Sequence, residues 1–258
     1  MIIHHSHLSL PSSHPTGHHF CGALLDGSCV LQGGHIKLVY NHLPKTGGTF
    51  VKYALAKVIP PELLGIRTEF QGFTGMEVGR DFVVGSIRHP CNYYLSLWGF
   101  GSDGKGDLYS RQTANMKKIL YGHTPPYNNT EDLEALDRWL GRNAGVLSNR
   151  LKQSYALPGR PFDASLVDCW LETEHLLASL ERCLNLYESR GGVVKWHELP
   201  SPEDGHTNPS SHASCTEMFD ETRQSIVEKR DIQIMKQFNY TSCCSPSQSS
   251  IHGDHATS

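Results

Sequence analysis

The chain has 258 residues, 38% of them hydrophobic, with 23 Lys+Arg against 26 Asp+Glu. That length buries one sizeable core or two small ones, and a net charge of -3 leaves no positive excess to neutralise a nucleic-acid backbone or hold the chain on an anionic membrane. No stretch approaches the roughly 18–20 apolar residues that cross a bilayer, and the N-terminus, with His4, His5, Ser6 and His7, does not read as a signal peptide, so a soluble cytoplasmic chain with no nucleic-acid partner and no membrane span is expected.

Residues 1–34 carry six His among the first nineteen positions, mixed with Ser, Pro and Gly, and show no useful helical or strand period. They read as a disordered tail. Metal binding by His4, His5, His7, His14, His18 and His19 is the alternative, since imidazole takes zinc, nickel or copper. Next, Ile36–Leu43 is a β-rich run that stops at Pro44, and Thr49–Ile59 follows with Phe50, Tyr53, Ala54 and Val58 at helical spacing. Leu64–Phe70 suits a short strand ending near Glu69. Asp81–Ile87 is continuous and apolar, like a strand buried on both faces, and gives way at Arg88-His89-Pro90 to a helix starting near Cys91.

Farther on, helices are expected at Glu131–Leu140 and Glu174–Tyr187, with a buried strand between them at Leu166–Leu171 and surface helices over Thr216–Gln237. Residues 241–258 are Ser-rich and read as a second tail. The pattern predicts one α/β domain over 35–240, an open parallel sheet flanked by helices and P-loop-like in its first turn. Its ligand site should lie beyond the carboxyl ends of the strands. Eight cysteines without a C-x-x-C pair are too sparse for a disulfide scaffold or a structural zinc site, and free thiols in a reducing compartment are expected. N-x-S/T sequons occur at Asn128 and Asn239 and do not decide the compartment. Nothing in the sequence reports the oligomeric state.

The turn Pro44-Lys45-Thr46-Gly47-Gly48-Thr49 has the features of an anion cradle. Two glycines let backbone N–H groups approach an anion, and the following helix aims its positive end at the same point. Thr46 and Thr49 add hydroxyls and Lys45 a full charge. The Lys precedes the glycines, so the magnesium-ATP loop G-x-x-x-x-G-K-[ST] is not reproduced. At the second turn, Arg88 ends a strand and Ser96 follows eight residues later. A guanidinium fork and a hydroxyl there suit a second phosphate.

HLPKTGGTF (42–50) resembles the 5′-phosphosulfate loop of sulfotransferases that use 3′-phosphoadenosine-5′-phosphosulfate (PAPS), in particular the Golgi-type carbohydrate sulfotransferases. VVGSIRHPCNYYLSLW (83–98) is similar to their 3′-phosphate motif R-x-P-x-x-R-x-x-S, with Arg88, Pro90 and Ser96 in register. Asn149 in SNRL, WLETEHL (170–176) and RDIQIMKQFNY (230–240) are similar to weaker family features, so the likeness covers 36–240. It implies sulfonate transfer from PAPS to a hydroxyl or amine of a carbohydrate or small-molecule acceptor, with no metal required, and a Golgi lumen as the alternative compartment. Lys45 would bind the leaving oxygen, Thr46, Gly47, Gly48 and Thr49 the 5′-phosphate, and Arg88 and Ser96 the 3′-phosphate. Two departures stand out. Tyr93 replaces the second Arg of the 3′ motif, and the place of a catalytic His falls at Gly72-Phe73, leaving Glu69, Glu77 or His42 as the base, with Glu69 favoured. A P-loop small-molecule kinase and a non-catalytic sulfonucleotide-binding protein remain as other readings. Tyr93, Tyr94, Trp98 and Phe100 read as a helical face packed into the core, with stacking on an acceptor as the alternative.

Overall fold

A computed structural model describes residues 22–23, 29–30, 35–69, 71–72, 78–121, 132–201 and 213–244. The chain divides into two compact units, Met1–Gly34 and His35–Ser258. In the first, Gly22–Ala23 pairs antiparallel with Cys29–Val30; the six tail histidines lie outside the described residues.

The second unit is α/β. Four parallel strands, β1 (Leu38–Asn41), β2 (Leu64–Arg67), β3 (Phe82–Ile87) and β4 (Cys169–Glu172), form a sheet in the order β2-β1-β3-β4. Leu38 aligns with both Leu64 and Phe82, and Val84 with Cys169. Every residue of β1 and β3 is buried, as continuous apolar runs flanked on both faces require. Side chains alternate between two cores. Leu38, Tyr40, Phe82 and Val84 pack with α1 (Gly48–Val58) and α7 (Leu176–Ser189), whereas Val83 and Ile87 pack with α2 (Pro90–Ser102), α5 (Leu133–Asn143) and α6 (Val146–Tyr155).

The remaining helices are α3 (Asp107–Ser110), α4 (Ala114–Tyr121), α8 (Cys215–Met218), α9 (Glu221–Arg230) and α10 (Ile232–Gln237). Asp231, between α9 and α10, is fully buried and accepts from the Tyr94 hydroxyl at 2.6 Å and the Ser148 N–H at 3.0 Å. One carboxylate thus ties the C-terminal helices to α2 and α6. Tyr93, Tyr94 and Trp98 are fully buried, as a core-facing helix requires, with Trp98 stacked on Tyr121.

Several expectations need correction. β4 runs over Cys169–Glu172 and starts later than the strand expected at Leu166–Leu171, because Leu166 ends a 3-10 turn, Ala164–Leu166, capped by the Asp163 side chain. The cysteines among residues 35–244 are disulfide-bonded, in the pairs Cys91–Cys243, Cys169–Cys183 and Cys215–Cys244. Their sequence separations of 152, 14 and 29 leave no short-range signature. Because Cys243 and Cys244 are buried and bonded, the folded unit runs through residue 244 and the second tail does not begin at 241. The Cys91 N–H also donates to the Cys243 carbonyl at 2.9 Å, strapping the C-terminal segment to the first turn of α2. Among the described residues no helix is long and apolar enough to cross a membrane.

A bond closing a loop of this size restricts the unfolded chain by about 3 kcal/mol in the chain-entropy account, so Cys169→Ser/Cys183→Ser should lose about that much stability in urea unfolding. A loss below about 1 kcal/mol would show that this bridge does not constrain the fold.

Candidate anion-binding site at the sheet switch point

The chain leaves β1 for β2 on one side and then crosses to β3 on the other. The crevice between the carboxyl ends of β1 and β3 is therefore the topological switch point, where open α/β sheets bind ligands. Both turns singled out in the sequence meet there. Arg88 Nη1 donates to the Lys45 carbonyl at 3.3 Å.

The first turn winds through two residues of positive φ, Lys45 at 65° and Gly47 at 76°. A left-handed Lys costs on the order of 1–3 kcal/mol and persists where its surroundings hold it; the Arg88 contact to its carbonyl is one such restraint. Gly47 caps α1 and has no side chain, so no N-cap side chain bonds the first N–H groups of that eleven-residue helix. Thr49 is exposed at this end and Lys45 partly so. Burial, and then the neighbouring Arg88 charge, lowers the Lys45 ammonium below its ordinary range. Its Nζ sits 4.0 Å above the Phe100 ring, so the last aromatic of α2 faces the site.

Two expected ligands sit elsewhere. Thr46 is fully buried, donates to the Leu43 carbonyl at 2.6 Å and lies 2.7 Å from Ser86 Oγ, so its hydroxyl braces the turn against β3 and does not face an anion. Ser96, expected at the second phosphate, is 2% exposed within α2. For Thr46 the partner that turns the hydroxyl inward is Ser86 of β3, 40 residues along the chain.

Arg88 is mostly buried, which lowers its pKa. Its Nε lies 4.0 Å from Glu174 Oε1 and has no hydrogen-bond partner among the described residues. Glu174 in turn accepts from the His89 N–H at 3.0 Å. A buried guanidinium N–H without a hydrogen bond is costly, and an oxyanion would satisfy it. With the uncapped helix end, this makes the donor set fit a phosphorylated ligand. Tyr93, standing in for the motif's second Arg, is itself met by a guanidinium: Arg150 Nη1 donates to its hydroxyl at 3.0 Å and Nη2 to Asp107 Oδ1 at 2.5 Å. Arg150 lies in the SNRL segment noted in the sequence, but its pairing with Tyr93 was not foreseen, because α6 brings it from 57 residues away.

Glu69 lies just beyond β2, with its carboxylate 3.5 Å from His42 Nδ1. Burial raises its pKa, against the lowering influence of Arg150, Lys52 and Lys45. His42 is buried edge-on against Gly48, where an added Cβ would lie 1.9 Å from the ring. Gly48 is thus required for room. Desolvation, and then Lys52, pulls His42 down to about 4, so the imidazole is neutral at pH 7. Glu77 lies outside the described residues. Compared with family models, with curated proteins and with solved structures, the chain matches none.

A His held neutral by the fold gives stability that is present above its ordinary value near 6.5 and lost as pH falls toward about 4. Glu69, raised, works in the opposite direction as pH rises through the carboxylate range. His42→Gln should therefore remove part of the acid destabilisation between pH 6.5 and 4, on the order of 2–3 kcal/mol, measured as the difference in urea stability from wild type. Parallel pH curves for the two proteins would show that His42 is not held neutral.

Proposed function

We propose that the chain is a PAPS-dependent sulfotransferase that moves a sulfonate to a hydroxyl or amine of a carbohydrate or small-molecule acceptor. The observation that carries this reading is the convergence, at one switch point, of an uncapped helix N-terminus, Lys45 and the Arg88 guanidinium whose Nε lacks a hydrogen bond. Two separate anion positions suit a nucleotide phosphorylated at both ends better than a simple triphosphate, and the Lys before the glycines speaks against the kinase reading.

The donor supplies an activated sulfonate whose departure leaves negative charge on a phosphate oxygen. Lys45 supplies the cation for that charge, and the N–H groups at the start of α1, with the Thr49 hydroxyl, hold the 5′-phosphate. Thr46 supports the turn from behind through Ser86. Arg88 holds the 3′-phosphate. Glu69, with its pKa raised, accepts the proton of the acceptor, beside the neutral His42 ring 3.5 Å from one of its oxygens. The Lys45 ammonium rests on the Phe100 ring and feels the Glu69 charge, so the two charged groups act on one neighbourhood. The three disulfides among the described residues favour an oxidising lumen or exterior over the reducing cytoplasm.

Transfer of radiolabelled sulfonate from PAPS to a panel of glycans and small hydroxylated acceptors tests the reading. Lys45→Ala should cost on the order of 100–1000-fold in rate, the usual effect of removing one donor to developing charge. Activity equal to wild type in this variant would remove Lys45 from the mechanism, and tight bisphosphate binding with no turnover on any acceptor would favour a non-catalytic binding protein.

A further inference from the structure

Asn239, Tyr240 and Thr241 form an N-x-T sequon where α10 ends. The chain leaves the helix through Asn239 at φ 54°, in the left-handed region that Asn enters more readily than most residues. The turn is fixed by its backbone: the Asn239 N–H reaches the Lys236 carbonyl at 3.4 Å, and the Tyr240 N–H reaches that of Met235 at 2.9 Å. Side chains then alternate. Asn239 and Thr241 are exposed, while Tyr240 is half-buried and packs on the His89 ring with centroids 4.2 Å apart. Among the described residues no hydrogen bond or ion pair engages the Asn239 side chain. The amide and the hydroxyl of the sequon are thus both open to solvent, and their neighbours Lys236 and Gln237 are exposed as well.

An exposed sequon by itself is common. The second observation is that the chain beyond it is closed by two disulfides, Cys91–Cys243 and Cys215–Cys244, and a third lies at Cys169–Cys183. Such bonds persist in oxidising compartments, where sequons are glycosylated and where the sequon Thr serves as part of the acceptor.

We propose that Asn239 is an N-glycosylation site. The donor is an oligosaccharide linked through pyrophosphate to a polyprenyl lipid. The Asn239 amide nitrogen attacks C1 of the first sugar and the Nδ2–C1 bond forms. The bond from C1 to the pyrophosphate oxygen breaks, the lipid pyrophosphate leaves with that electron pair, and the amide gives up one proton. The product places a bulky polar group at the end of α10, outside the core and on the strap that the Cys91–Cys243 bond fastens to α2. This assignment stands apart from sulfonate transfer and holds whether or not that reading does.

The test directs the full chain into the secretory pathway of a eukaryotic cell behind a secretory leader. Protein is collected from both the medium and the lumenal fraction and treated with an N-glycan amidase in heavy-oxygen water. Mass spectrometry should find the peptide containing residue 239 converted from Asn to heavy-labelled Asp. Asn239→Gln and, independently, Thr241→Ala should each abolish that label and remove one step of gel mobility, while Thr241→Ser keeps it. The Asn128 sequon serves as an internal reference through Asn128→Gln, which should leave the label at 239 unchanged. A lumenal chain with its disulfides formed and residue 239 unmodified overturns the proposal, and so does a lumenal chain whose cysteines stay reduced.

Discussion

Two contacts across the switch point hold the candidate site together: the Thr46 hydroxyl 2.7 Å from that of Ser86, and the Arg88 guanidinium donating to the Lys45 carbonyl at 3.3 Å. They join a turn after β1 to the body and end of β3, so the backbone of the Lys45 turn cannot drift from the Arg88 guanidinium without breaking a hydrogen bond. Parallel pairing of β1 and β3 places the turns side by side, and the crossover through β2 leaves the crevice between them open. Tyr155 adds a third tie, donating to the Asn41 carbonyl at 2.7 Å and accepting from the Ser86 N–H at 3.1 Å.

Around this brace the site is built from groups pushed away from their ordinary ionisation. Burial lowers Lys45 and Arg88 and raises Glu69, and it holds His42 neutral. A cluster of groups each disfavoured in its charged form is a place where an incoming anion gains more than it would in water. Lys45 and Glu69 stay partly open to solvent, so the setting is only half dry, and under the proposed reading the raised carboxyl suits proton acceptance. Gly48 and His42 illustrate how packing serves chemistry, since the missing Cβ makes room for the ring that meets Glu69.

Much of the frame was legible in the sequence, because β1 lies in a β-rich run and β3 in a nearly continuous apolar one, each stopped by a following Pro. The turns at 44–49 and 88–90 were legible for the same reason: punctuation by Pro and Gly fixes where a strand must stop. Orientation was not. Whether the Thr46 hydroxyl faces out or in depends on Ser86, which lies 40 residues away, and no local pattern reports it. Arg150 reaches Tyr93 only because α6 forms over Val146–Tyr155, and a pairing across 57 residues leaves no local pattern. The disulfides escaped notice because one joins residues 152 apart, so sparse cysteines at irregular spacing carried no sign of being partners.

The central claim is that one nucleotide is gripped at both of its phosphate ends, at the start of α1 and by Arg88. Calorimetric titration of the wild-type chain and Arg88→Met with adenosine 3′,5′-bisphosphate and with adenosine 5′-phosphate measures this directly. The account predicts that wild type binds the bisphosphate at least about 10-fold more tightly, the worth of a charge-assisted hydrogen bond, and that Arg88→Met erases the preference. Equal affinity of the wild-type chain for the two nucleotides would contradict it.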